Sequence, residues 1–476
     1  MTEMILPGTY IEVRAEGLIA AGQVSVSNVA VLGSARRGPT DEVLIPSDIG
    51  EAREIYGPYD PIDNPDTVGA PYTLVRALDL VYGNGAQKVF TLRVAPGAAT
   101  QAVFNIPDDS SGNVVATATY AGSGYNEAEI VVESVGGSMN VSITVGRTTE
   151  TWRDVTPTVA EFAQILNGDH PSFPYATQSS GGGSEFFAFD AAGASGNVAF
   201  GTAALASGGG GDAATAAGDY VTALESLVNE NVHIVVLAGQ TADELGASLT
   251  AHCENASSDA IKRERIGVIG DLSDDLGDIQ SHGLDSSRMV FAAPGVRTID
   301  TAKGSEVPLN GTYTAAALAG LISSLSAHFS PTNKTLKVNG VTEKFNGAEL
   351  EQVLQSRAVP MEDRDGVVKV VQGITTSSDT AFKQITTRRI VDYAKFGVRS
   401  ACDPYIGKLN NERVRTAMKG TINGFLADMI DQEMLISYEL EVSATREQQI
   451  RGIAQVTMVL RPTFSIDYIR VIMYLE

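Results

Sequence analysis

Cysteine is nearly missing from this chain: Cys253 and Cys402 are the only two in 476 residues, and they form no Cys-x-x-Cys pair. That argues against a disulfide framework or a zinc ribbon and leaves two free thiols. Positive charge is also scarce, with 34 Lys and Arg against 57 Asp and Glu, a formal net charge of −23. Phosphate binding needs local positive charge, so nucleic acid is not a partner expected for the molecule as a whole. Long apolar runs are absent too. The longest small-apolar stretch, around 315–322, falls far short of the roughly 20 residues that span a bilayer, so no membrane insertion is expected. No apolar segment precedes the first basic residue, Arg14, so no export signal is read and folding in a cytoplasm is the expectation.

The motifs of catalysis are equally sparse. No Gly-x-Ser-x-Gly elbow occurs. The glycine-rich pieces SSGGGSE (179–185) and SGGGGD (207–212) lack the lysine of a phosphate loop and read as loops or linkers. His170, His233, His252, His282 and His328 are scattered, none at a metal-binding spacing. Asp271, Asp274 and Asp275 follow a strand but have no further ligands at EF-hand spacing, and read as a solvated loop. One echo of an enzyme remains. GTYTAAALAG (311–320) resembles the helix of subtilisin-like serine proteases that opens Gly-Thr-Ser, but Tyr313 stands at the nucleophile position. A phenol without an adjacent base is a poor acyl-transfer nucleophile. No catalytic residue, cofactor or metal is expected.

What is present is a strand–helix–strand pattern. VSVSNVAVLGSA (24–35) alternates and then becomes continuously apolar, as a strand entering a buried sheet does. A helix over 72–82, stopped by Gly83-Asn84-Gly85, leads to a strand at 88–94. Residues 97–200 switch to short alternating runs separated by turns, which reads as a small antiparallel sandwich or barrel. From 215 the alternation returns: helices over 220–230 and 242–253, strands at 232–239, 265–271 and 289–295. About five buried strands then form one doubly wound sheet with the β-rich segment inserted into it. Asn339-Gly340 predicts a hairpin over 335–345. A helix from Glu412 to about Met434 precedes strands at 437–442 and 452–462.

Two features at the carboxyl end are distinctive. Residues 464–476 (FSIDYIRVIMYLE) carry apolar residues on both faces of a strand, Ile469, Val471, Met473 and Leu475 on one, Tyr468, Ile472 and Tyr474 on the other. Such a terminal strand, with no hairpin after it, is a hazard unless it adds to another sheet. Between 386 and 419, eight basic residues (Arg388, Arg389, Lys395, Arg399, Lys408, Arg413, Arg415, Lys419) face three acidic ones (Asp392, Asp403, Glu412). Arg415 and Lys419 share a helix face. The cluster is either a solvated surface or a docking face for an acidic partner.

Together these pieces resemble the tail sheath proteins of contractile phage tails and related injection systems. The matching residues are PGTYIE (7–12), AVLGSARRGPT (30–40), YGNGAQKVFTLRV (82–94), YAGSGYNEAEIVV (120–132), GITT…RRIVDY (373–393) and LNNERVRTAMKGTINGFLADMI…GIAQVTMVLRP (409–462). The resemblance implies a multidomain α/β plus β protein. Its arms are 1–20 and 463–476, and its central subtilisin-like domain without catalytic residues is 21–96 and 205–345. An outward-facing β insertion at 97–204 and a tube-facing α+β domain at 346–462 complete it. It implies inter-subunit strands at Tyr10, Ile11, Glu12 and Val13 and at Tyr468, Ile469, Val471, Met473 and Leu475. Arg388, Arg389, Arg399, Lys408, Arg413, Arg415 and Lys419 become candidates for facing an inner tube. It further implies a helical homopolymer of six-membered rings, with tube, baseplate and tail terminator proteins as partners, in a virion tail assembled in a bacterial cytoplasm. Linkers near 16–23 and 461–465 would absorb subunit rotation. The competing classes are a degenerate or active subtilisin-like hydrolase, and another self-assembling shell or surface-layer protein.

Overall fold

The computed structural model describes residues 26–40, 42–58, 72–179, 181–300 and 304–474. The expected amino-terminal strand, Tyr10 to Val13, and Leu475 lie outside them. The chain divides into two compact units, Ser27–Leu325 with Pro331–Lys383, and a smaller one holding Val26, Ser326–Ser330 and the chain from Gln384.

The larger unit is organised by a seven-stranded sheet in the order Val89–Arg93, Val29–Gly33, Ile234–Thr241, Ile266–Gly270, Met289–Ala293, Val359–Arg364, Val367–Val370. All neighbours pair in parallel except the last two, which form an antiparallel hairpin. In chain order the parallel strands run 2-1-3-4-5-6, a doubly wound sheet whose direction reverses between the first and third strands. The sequence names five of these strands because they are apolar on both faces and fully buried. Helices Ala217–Ser226 and Ala242–Ala256 bury Tyr220, Leu224, Leu245 and Leu249 against Ala30, Leu32, Val235 and Leu237. Helices Leu74–Gly83 and Gly311–Ser324 pack together over the sheet's other face. The small residues of 311–320 serve that close packing.

Two expectations change. Residues 335–345 are not a hairpin. Gly340–Val341 instead adds to the strand Val296–Asp300, and Asn339 N–H donates to Arg297 O at 2.8 Å. A type I′ turn needs positive φ at both central residues, and neither Asn339 nor Gly340 has it. The domain boundary also moves: helix Gly347–Gln355 and the hairpin 359–370 belong to the larger unit, so the smaller one begins at Gln384, not 346. Residues 207–212 are a loop, as read, and a pinned one. Gly209 exchanges hydrogen bonds with the Asn126 side chain at 2.7 and 2.9 Å, in a place where any Cβ would overlap Gly122 O.

The insertion is a sandwich of two four-stranded sheets sharing one core with helix Val159–Asn167. Trp152, the chain's single tryptophan, is wholly buried there, and its Nε1 donates to Gly182 O at 3.0 Å. Gly182 thus caps the indole N–H, while a Cβ on Gly183 would overlap Asn167 O. At the insertion's root, buried Arg93 donates to Ala35 O and Gly38 O at 2.9 and 2.6 Å and faces buried Asp212 at 3.8 Å. Asp212 accepts in turn from Ser123 N–H at 3.2 Å. The pair joins the strand that leaves the sheet to the segment that returns to it.

Candidate assembly surface

In a doubly wound sheet, ligands enter the crevice at the carboxyl ends of the strands, where the winding reverses. Here that crevice is filled by the protein's own residues. Ser34 and Thr73 hydroxyls sit 3.4 Å apart across it, and Tyr220 Oη donates to Ala238 O at 3.4 Å. Gly239, at φ +70°, lies so close to Thr73 that a Cβ would overlap its side chain. Tyr313 is buried with no hydrogen-bond partner for its hydroxyl, and burial pushes its phenol well above the usual range. Beneath it Arg76 pairs with buried Asp300 at 3.2 Å. Among the described residues no group of three or more His, Cys, Asp or Glu could hold a metal ion. No helix among them is long and apolar enough to cross a membrane.

The smaller unit is built differently. Helices Ile385–Cys402 and Glu412–Asp431 cross where Gly397 meets the ring of Phe425, a contact that leaves no room for a Cβ. Their core of Ile390, Ala394, Ile422, Leu426 and Met429 is covered by the inner face of an antiparallel hairpin, Leu435–Ser443 with Gln455–Pro462. Tyr438, Leu440, Val442, Val456, Met458 and Leu460 point inward, while Glu439, Glu441 and Thr457 are exposed. This sheet has only its two strands among the described residues, so both outer edges keep unpaired backbone groups. Two-stranded sheets are marginal alone.

The carboxyl-terminal segment follows directly. Residues 463–474 form no strand, and Tyr468, Ile469, Val471, Met473 and Tyr474 are 73–87% exposed. An apolar segment thus stands in solvent on the unit whose sheet has open edges.

The basic cluster separates into two groups. Arg388 and Arg389 are buried inside helix Ile385–Cys402 and leave the exposed face expected of them. Arg388 pairs with Asp392 one helical turn on at 2.7 Å. Arg389 donates to Ser326 O and Val26 O at 3.2 and 3.3 Å, and burial lowers its pKa to about 10. Arg399 is half-buried. Lys408, Arg413 and Lys419 are exposed, and half-buried Arg415 is held by Asn410 Oδ1 at 2.8 Å. Lys408 sits over the Tyr405 ring, 4.8 Å from its centre. Lys408 and Arg415 line a cleft of about 290 Å³ with Val414, Met418 and Val456. Ile406 and Leu409 on its rim are each 78% exposed. The sequence reading missed both, although two bulky apolar residues in the polar loop YIGKLNN are a visible signal.

In the chain's carboxyl-terminal part, residues 377–476 match the family described as the phage tail sheath C-terminal domain. A tail sheath protein of Bacillus phage SP01 is 30% identical over 162 residues, 33% of this chain and 28% of that relative's length. In fold the likeness extends much further. The sheath tail protein of Listeria innocua superposes with a TM-score of 0.70 at 15% identity, over 95% of both chains. That of Desulfitobacterium hafniense gives 0.65 at 16%, over 96% of this chain and all of that one. The helical sheath of the anti-feeding prophage, in its contracted state, gives 0.59 at 12% over all of both chains. The chain's resemblance is therefore to contractile tail sheath proteins, in sequence at its carboxyl end and in fold nearly throughout.

Proposed function

We propose that this chain is the structural subunit of a contractile tail sheath. It polymerises around an inner tube as a helical array of six-membered rings and contracts to drive the tube through a cell envelope. The observation that carries this reading is the pairing of an exposed apolar carboxyl-terminal segment with a sheet that has only two strands among the described residues. Strand addition satisfies both: backbone hydrogen bonds link subunits while alternate side chains set register. The donors would be 468–475 and the amino-terminal residues 10–13, with neighbouring subunits as acceptors. The subtilisin-like central domain acts as a non-catalytic scaffold, in keeping with its filled crevice, and no cofactor is needed if the contracted array buries more surface. Tube, baseplate and tail terminator proteins are the partners of such a subunit, in a virion tail assembled in the host cytoplasm. The tube-facing patch reduces to Lys408, Arg413, Arg415 and Lys419, with Ile406 and Leu409 as apolar anchors.

Negative-stain imaging of the purified protein tests the first part: rings and tubes are expected, and a permanently monomeric protein at high concentration contradicts it. Reversing Arg415 and Lys419 to Glu tests the second. Assembly on the tube should fall at least tenfold and grow less salt-dependent, while tube-free polymers persist. Equal loss of both would place these residues in the subunit–subunit contact.

A further inference from the structure

The terminal segment does not hang free from the end of its hairpin. Thr463 N–H donates to Met434 O at 3.1 Å, and the next residues run past the start of helix Ile385–Cys402. There Gln384 occupies the N-cap position, yet its side chain makes no capping bond to its own helix. It uses both amide atoms on the segment instead. Oε1 accepts from Ser465 N–H at 3.3 Å, and Nε2 donates to Asp467 Oδ2 at 2.9 Å. Only this orientation of the amide satisfies both partners, since a carboxylate accepts and a backbone N–H donates. Thr386 Oγ1, 3.4 Å from Oε1, steadies it. Alternate residues face the subunit up to this point: Thr463, Ser465 and Asp467 are half-buried while Phe464 and Ile466 are exposed, and every residue from Tyr468 to Tyr474 is exposed.

We propose that Gln384 is a positioning residue for strand donation, forming with Asp467 a clasp that sets the length of the arm. The inference rests on the sheath reading above for its role, though not for its existence. With the clasp closed, the donated segment begins at Tyr468. With it open, Thr463 stays held by Met434 O and the segment gains residues 464–467, about 13 Å at roughly 3.3 Å per residue. The hinge expected at 461–465 is therefore closed in the isolated subunit, where 455–462 is strand and 463–467 is docked. Two solvent-edge hydrogen bonds, one of them to a carboxylate, hold a docked state while remaining exchangeable. A link between subunits could then lengthen when rings change spacing, without unpairing the strand itself.

The test compares the full-length wild type with Gln384→Glu, which sets two carboxylates against each other, and with Gln384→Glu/Asp467→Lys, which restores attraction. In the soluble subunit, the clasp predicts that amide exchange over 464–467 is at least tenfold faster in Gln384→Glu and slow again in the double variant. The midpoint of thermal unfolding should stay within a few degrees throughout. Equal exchange in wild type and Gln384→Glu overturns the clasp, as does failure of the charge swap to restore protection. In polymerising protein, Gln384→Glu should raise the critical concentration about tenfold, and an unchanged value overturns the positioning role. Wild type that never polymerises would sink the sheath reading, while the exchange data still decide the clasp.

Discussion

The molecule's two principal sheets meet the same problem and answer it oppositely. The central sheet covers both faces with helices, fills its switch-point crevice with Ser34, Thr73 and Tyr220, and carries the insertion on a buried Arg93–Asp212 pair. The carboxyl-terminal sheet covers one face only, has no third strand among the described residues, and is followed by a segment whose apolar side chains are exposed. In the first, the Ser34, Thr73 and Tyr220 hydroxyls at the switch point bond within the subunit. In the second, hydrogen-bonding capacity is held open. The contrast is between a crevice packed with side chains and a hairpin whose edges, among the described residues, carry no further strand.

That contrast can be broken from either side. Deleting 468–476 should leave a monomer with an unchanged thermal midpoint that forms no long tubes, because only the open region is touched. Normal tubes by electron microscopy would remove the segment from assembly. On the closed side, Asp212→Ala strips the partner from a guanidinium with no exposure and should cost roughly 3–5 kcal/mol in chemical denaturation. A change below about 1 kcal/mol would mean that the insertion is not held through this pair.

A titration sharpens the same point. His252 is buried against Arg265 Nη1 at 3.0 Å, and burial first, the neighbouring cation second, lowers its pKa from 6.5 to about 4. The unfolded chain therefore binds the proton more readily between those values. Stability from the neutral imidazole is complete above pH 6.5 and is lost as pH falls toward 4. The loss approaches about 3 kcal/mol. His252→Gln should flatten this part of the stability–pH curve, and an unaltered curve would assign the acid sensitivity to other groups. The smallest effect belongs to Tyr313→Phe. Removing a buried hydroxyl without a partner should be neutral or stabilising by up to about 1 kcal/mol, with assembly unaffected. Loss of assembly would give the hydroxyl a role that its surroundings do not suggest.

Much of the central sheet was legible because strands buried on both faces read as unbroken apolar runs, as IVVLAG and MVFAA do. The helix Ile385–Cys402 was not, because its buried face holds Thr386, Thr387, Arg388, Arg389 and Asp392, and a stripe of polar residues hides the helical period. The same residues inflated the basic cluster, since charge counted along a sequence cannot distinguish an internal ion pair from a surface. Asn339-Gly340 misled for a tertiary reason: an available edge at Val296–Asp300 outweighed local turn preference. The glycine runs read as loops, and what stayed hidden is their tertiary neighbours: Gly183 packs on Asn167 and Gly209 on Gly122. The carboxyl-terminal segment was legible because residues apolar on both faces of one strand state an unmet need. The clasp at Gln384 was not, because a glutamine ahead of a helix carries no signal until the chain returns to it.

Hydrogen exchange over 468–474, measured in the soluble subunit and again in assembled tubes, tests the central claim most directly. The account predicts fast exchange in the subunit and strong protection in the polymer, as the segment enters a neighbour's sheet. Fast exchange in both states, or protection already present before assembly, would contradict it.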